Sequence, residues 1–424
     1  MVPMHWAVKR LRYNVSLNPP VRSGLSPDTE VSFLPMEAIG VDGSINLDRN
    51  RLVADVSNGY SYFENGDLAF AKVTPCFENG KGAIMQGLAR GVGFGTTELT
   101  VLRPKKETNL NFASYVLQSA RFRSLGTGAM TGAGGLKRVP DEFTRNFESP
   151  WPETHEQRMV ANYLDTETAR IDGLVAKKNR FIDILREKRQ ALITHAVTKG
   201  LDPDVKMKES GVEWVGEMPE HWTICKLSFR YSIELGKMLD EKRLTGNSLV
   251  PYLRNQDVQW GSINTNDLPK MDIYAEEIER YTIQCGDLLV CEGGDVGRAA
   301  IWKESKKRIG FQKALHRLRP RSDDRDTSEF FYFSLLTGKQ LGLFEESDAK
   351  ATIAHLPAEK FRQYKFAFPP LTEQRMIVDY INNKSGRLDA LISKTEHSIK
   401  LLKERRSALI TAAVTGQIDV REAA

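Results

Sequence analysis

The chain contains no apolar run approaching the roughly eighteen residues that a membrane-spanning helix requires. Its start turns basic at Lys9, Arg10 and Arg12 with no apolar segment to suggest an export signal, so a cytoplasmic protein is expected. Cysteine is scarce: Cys76, Cys225, Cys285 and Cys291 form no CxxC pair and have no closely spaced histidines, which argues against a disulfide framework and against a zinc site. No phosphate-binding GxxxxGK[ST] loop exists; "TGKQ" at 337–340 lacks the first glycine and the hydroxyl residue. An adenine methyltransferase would need an Asn/Asp-Pro-Pro-aromatic loop, and "NPPV" at 18–21 puts valine where the stacking ring belongs. "GVGFG" at 91–95 runs into a strand-like "ELTVL" where a cofactor-binding turn would open a helix. Carboxylate–lysine pairs such as Asp67 with Lys72 or Glu78 with Lys81 lack the strand spacing of a nuclease metal site, and Asp287 with Glu292 has no lysine beside it. No catalytic or metal-binding residues are therefore expected.

What the chain does contain is itself, twice. "EKRQALITHAVTKG" at 187–200 returns as "ERRSALITAAVTGQ" at 404–417. Residues 156–202 align with 373–419 at a constant offset of 217, with 21 identities in 47 positions. Outside this stretch "PMHWAVKRL" is answered by "PEHWTICKL", "GSIN" at 43 by "GSIN" at 261, and "NGDLAFAK" by "CGDLLVCE", at offsets from 216 to 220. Two copies of one unit follow, each a divergent segment and then a similar one.

The similar segments read as long helices. Ile171, Val175, Ile182, Leu185 and Leu192 fall at alternating 4,3 spacing with Lys178 and Arg189 in the gaps; Leu388, Ile392, Ile399, Leu402 and Leu409 repeat it with Thr395 and Arg406. That heptad seam packs along a partner helix. Thr154 with Gln157 suggests a capping box, Thr372 with Glu373 another helix start, and Gly200 and Gly416 the ends. The two stripes are expected to pair with each other as an antiparallel coiled coil; homodimerisation through them is the alternative. Short apolar runs punctuated by Gly, Asn, Asp and Pro make the divergent segments β-rich, with a helix late in each. The glycine-rich "GTGAMTGAGGLKRV" at 126–139 reads as a mobile loop.

Net charge is only +5, but nine Lys/Arg against one acid lie between Arg298 and Arg321, and five against one between Lys81 and Lys106. Such clusters can neutralise phosphates; a solvated charged face is the plain alternative.

"FAFPPLTEQRMIVDYI" leading into the second long helix, with "ETHEQRMVANYLD" opening the first, resembles the specificity subunit of type I restriction-modification systems. The likeness covers nearly the whole chain, although the first copy reads "WPETHEQ" where the second has "PPLTEQ". It implies an α+β protein: target-recognition domains at 1–152 and 204–370, and long spacer helices at 153–203 and 371–424 with the C-terminal tail. It also implies a non-catalytic, sequence-specific DNA-binding subunit that reads a bipartite target. Partners would be double-stranded DNA, two methyltransferase subunits and, through them, restriction/translocase subunits, with S-adenosylmethionine, ATP and Mg on those partner chains. A coiled-coil adaptor that binds no DNA is the alternative from another class, and an autonomous adenine methyltransferase a third.

Direct base readout needs Arg, Lys, Asn and Gln at loop tips. Candidates are Lys72, Lys81, Lys137 and Arg138 in the first copy. In the second they are Arg254, Asn255, Gln256, Gln259, Arg298, Lys306, Lys307, Gln312 and Lys313. Met159, Tyr163 and Leu164, with Met376, Tyr380 and Ile381, are the candidates for docking partner subunits.

Overall fold

The computed structural model describes residues 2–239, 245–305, 307–344 and 355–420. The chain divides into two compact units, Met1–Arg180 with Thr395–Ala424 (unit 1) and Phe181–Lys394 (unit 2). Each long helix is thus shared, one part to each unit.

The repeat seen in sequence is a repeat of topology. In unit 1 the strands Val15–Leu17, Leu99–Pro104, Leu68–Ala71 and Gly82–Ile84 form an antiparallel sheet in that order. A second sheet orders Asn50–Leu52, Glu30–Leu34, Val92–Gly95 and Ser61–Glu64, with one parallel pairing between Glu30–Leu34 and Val92–Gly95. Unit 2 repeats the first sheet as Tyr231–Leu235, Leu315–Pro320, Leu288–Cys291 and Ala299–Ile301. Its second sheet keeps the parallel pairing, between Leu249–Leu253 and Gly310–Phe311. In both units an early strand closes against the last: Ala7–Arg10 on Glu148–Trp151, and Thr223–Lys226 on Lys365–Phe368. That pairing delivers the chain to the start of a long helix.

These helices are Thr154–Lys199, 46 residues, and Leu371–Val414, 44 residues. They end where glycine takes over: Gly200 at φ +77° and Gly416 at φ +69° sit in the left-handed region that stops a helix. Within unit 1, Val160, Ala161 and Leu164 from the start of the first helix share a core with Ile410, Ala413 and Val414 from the end of the second. Within unit 2, Ile193, Ala196 and Val197 from the end of the first pack with Ile377, Val378 and Ile381 from the start of the second. Start meets end in both units, so the helices run antiparallel inside one chain and their stripes are met there. Of the seam, Ile171, Ile182, Leu185, Leu388 and Ile399 are buried and Val175, Leu192, Ile392, Leu402 and Leu409 half-buried.

Two local readings change. Thr154 and Gln157 do not make a capping box: the Thr154 hydroxyl donates to the Glu107 carbonyl, and Gln157 is drawn into the domain beside it. The glycine-rich stretch stays helical through Gly128, anchored by Phe122 in the core, and its remainder is closed by paired backbone bonds between Thr131 and Arg138.

Candidate nucleic-acid interface

The residues that the two copies share turn out to be ties that hold each domain to its helix. Gln157 is buried; its carbonyl accepts from the backbone N–H of Asn109 at 2.8 Å and its amide donates to the carbonyls of Pro152 and Glu107 at 2.9 and 3.3 Å. Asn109 in turn caps the helix Leu110–Gln118 through the N–H of Phe112. Gln374, 217 positions on, does the same for Thr327, which caps the helix Ser328–Gln340: it accepts from the Thr327 N–H at 3.0 Å and donates to Pro369 and Arg325 carbonyls. Beside each glutamine a glutamate holds a histidine, Glu156 with His5 at 3.0 Å and Glu373 with His221 at 2.7 Å. The arginine of each "RP" pair is bound to the aspartate of each "GD" turn: Arg103 to Asp67 at 2.7 Å, Arg319 to Asp287 at 2.8 Å. Both aspartates are buried, which explains why the pairing is retained: a buried carboxylate without its cation is costly.

This narrows the basic clusters. Arg317 is buried and donates to the carbonyls of Glu279 and Thr282, Arg321 to that of Ser228, and Lys105 to that of Arg12. Arg317, Arg103 and Arg319 are thus drawn into the domains, whereas Arg321 and Lys105 stay exposed.

The base-reading candidates divide likewise. In unit 1, Lys72, Lys137 and Arg138 come together. The Val139 N–H bonds to the Lys72 carbonyl and the Thr74 N–H to that of Lys137. Arg138 grips Glu98 through two bonds of 2.7 and 2.9 Å, and that guanidinium holds the Glu98 carboxyl below its ordinary range. Lys72 is half-buried beside them and Lys137 exposed. Lys81 is half-buried and its ammonium donates to the Met36 carbonyl at 2.7 Å.

In unit 2, Asn255 donates to the carbonyls of Gly293 and Ala314 and accepts from Arg298 at 2.8 Å. Asn255 and Arg298 therefore close a network that joins three loops, and both are half-buried. Arg254 makes two bonds of 2.9 Å to the buried Asp257. The network sets the loop 254–259 beside 312–314, where Gln256, Gln259 and Lys313 are exposed and Gln312 half-buried. Lys307 is exposed and 3.1 Å from Glu304; Lys306 lies outside the described residues. One exposed feature had no signal in the spacing: strand Asn50–Leu52 is solvent-facing along its length, and Arg51 stacks on Phe33 at 4.1 Å.

Of the docking candidates, Met159, Met376 and Tyr380 are exposed and Tyr163 half-buried. Leu164 and Ile381 are fully buried in the cores of units 1 and 2, where no partner can reach them. They were candidates as apolar residues beyond the seam; the domain packed on each helix covers them.

Comparison with known proteins agrees with this architecture. The family described as type I restriction modification DNA specificity domain matches residues 219–401. The type I restriction enzyme EcoEI specificity subunit of Escherichia coli is 39% identical over 162 residues, 38% of this chain but 27% of that protein. The chain's match thus spans about a quarter of that relative's length. A structure described under complex assembly and conformational transition of the type I R-M system has a TM-score of 0.74 at 18% identity, covering 99% of this chain and 100% of that one. The crystal structure of the HsdS subunit from Thermoanaerobacter tengcongensis has a TM-score of 0.56 at 18% identity, covering 98% of each chain. The fold of both is the fold described above.

Proposed function

We propose that the chain is the DNA-reading, non-catalytic specificity subunit of a type I restriction-modification system, a reading supported by the match of residues 219–401 to the type I restriction modification DNA specificity domain. Each unit reads one half of a split target in double-stranded DNA. The observation that carries this reading is the division of labour between ties and loops. Both units keep the same buried glutamine, arginine–aspartate and histidine–glutamate ties. Their exposed loop residues differ: Lys137 in unit 1, against Gln256, Gln259 and Lys313 in unit 2. One scaffold carrying two unlike polar surfaces suits two unlike half-sites.

Two methyltransferase subunits dock one to each helix start, where Met159 and Tyr163, and Met376 and Tyr380, recur at the same offset. Restriction and translocase subunits join through them. S-adenosylmethionine, ATP and Mg act on those partners. The long helices space the half-sites, so helix length sets the unread gap.

The test is binding of duplex DNA by the full chain with its methyltransferase partner at several salt concentrations, alongside methyl transfer by the purified chain alone. Salt-dependent, sequence-selective binding with no transfer is expected. Absence of DNA affinity would return the chain to the adaptor reading. Transfer by the isolated chain, lost on Asn18→Ala, would make it a methyltransferase.

A further inference from the structure

The two units place the same short turn at the same point and furnish it differently. The strands Glu30–Leu34 and Leu249–Leu253, which carry the parallel pairing, each pass through one residue into a 3-10 turn, Met36–Ala38 in unit 1 and Asn255–Asp257 in unit 2. The middle residue is exposed in both: Glu37 and, 219 positions on, Gln256. In both an arginine holds one of its side-chain oxygens. The groups left over have opposite polarity.

In unit 2 the hold is rooted in the interior. Asp257 is buried and accepts from Nε and Nη2 of Arg254, both at 2.9 Å. With that fork fixed, both terminal nitrogens of Arg254 lie 3.2 Å from the side-chain oxygen of Gln256, in the one orientation of the amide that sets these donors against an acceptor. Gln259 pins the same residue's backbone, its amide donating to the Gln256 carbonyl at 2.9 Å. Two bonds fill the two lone pairs of an amide oxygen, so Gln256 has only its NH2 donors to offer beyond the protein. Ordering an exposed glutamine costs rotamer entropy. What the ordering gives is a fixed direction for those donors.

In unit 1 Pro35 stands in the place of Arg254. Arg49 takes over the hold, its Nη1 donating to Oε1 of Glu37 at 3.1 Å. The second carboxylate oxygen remains, and an ionised carboxylate can only accept.

We propose, resting on the DNA-reading assignment above, that this residue specifies one base in each half-site: guanine for Gln256 and cytosine for Glu37. In the major groove guanine alone presents two acceptors, N7 and O6, and no donor; adenine sets its amino group beside N7, thymine a methyl beside O4, and cytosine offers a donor. A glutamine with a free oxygen pairs with adenine through both its groups, and Arg254 removes that choice by occupying the oxygen. Glu37 has the reverse requirement. Cytosine N4 donates to its carboxylate, whereas adenine brings the N7 lone pair against it. Selectivity at each position is expected to be about tenfold over the next base.

The full chain with its methyltransferase partner is used to select duplexes from a randomised pool, and the selected duplexes are sequenced. Guanine is expected at one position of the unit 2 half-site and cytosine at one position of the other. Gln256→Glu should turn that guanine into cytosine and leave the other half-site unchanged. Arg254→Lys, which keeps a cation on Asp257 but frees the Gln256 oxygen, should admit adenine beside guanine at that position alone. Glu37→Gln should lose the cytosine from the other half-site. Identical sequences selected by the unaltered and Gln256→Glu chains, an Arg254→Lys chain that still excludes adenine, or a change in the same half-site from Gln256→Glu and Glu37→Gln would each overturn the base assignment while leaving DNA reading intact. An unaltered complex that selects no sequence would end both.

Discussion

In unit 1 the Arg406 guanidinium stands 3.0 Å from the Asp172 carboxylate, joining the second long helix to the first. The same pair recurs in unit 2 with the helices exchanged: Arg189, 217 positions before Arg406, reaches Asp389, 217 after Asp172, at 3.5 Å. The arginines that interrupt the apolar seam in sequence are its crosslinks. Since Asp172 and Asp389 are about half exposed, each pair should be worth no more than about 1 kcal/mol. A double-mutant cycle of Asp172→Ala and Arg406→Ala, read by urea denaturation, should give a small coupling that shrinks at high salt.

The buried glutamines should matter far more. Gln374→Ala strands the Thr327 N–H and the carbonyl groups of Arg325 and Pro369. Unmade buried hydrogen bonds cost ~1–3 kcal/mol each, partly recovered by relaxation. A loss of about 2–4 kcal/mol in unit 2 is expected, and a similar loss in unit 1 for Gln157→Ala. Both are measurable as a shift in urea midpoint. A neutral result at either would show that the tie is not what keeps the glutamine.

Neighbouring cations should separate into readers and ties. Lys137→Ala should weaken binding chiefly to targets that carry the unit 1 half-site and relax selectivity there, leaving the unit 2 half-site unchanged. Arg138→Ala should chiefly loosen the 131–138 loop, because it frees Glu98. Fluorescence anisotropy on duplexes altered in one half-site at a time, with proteolysis of the loop as the companion measurement, distinguishes them.

His316 makes unit 2 sensitive to acid. It is fully buried, its Nε2 faces the Leu356 carbonyl, and burial pushes its pKa down to about 4. The unfolded chain, with histidine near 6.5, then binds the extra proton first as pH falls, so stability is full above about 6.5 and drops between there and 4. Unit 2 should be about 2 kcal/mol less stable at pH 5 than at pH 7 on this account alone. His316→Gln should flatten that difference in urea midpoints even where it lowers stability at neutral pH.

The helices, their antiparallel pairing and the twofold repeat were legible because heptad spacing and self-similarity are local or additive signals. The roles of the charged residues were not. Arg103 pairs with Asp67 across 36 positions and Arg319 with Asp287 across 32, so nothing in the neighbouring sequence marks them as tied to buried aspartates rather than turned to phosphate. Leu164 and Ile381 were misplaced for a related reason: helical spacing shows which residues share a face, but not that a domain packed alongside buries part of it. The base-reading loops have no periodicity to read, and only the network through Asn255 and Arg298 shows which of their polar side chains hold loops together.

The central claim is tested most directly by the DNA sequence that becomes methylated in cells making this chain together with a type I methyltransferase subunit, mapped by methylation-sensitive sequencing. The account predicts two short unlike sequences separated by a fixed unread gap, with replacement of residues 210–365 by another family member's domain changing only one of them. A continuous motif, or a domain exchange that alters both halves, would contradict it.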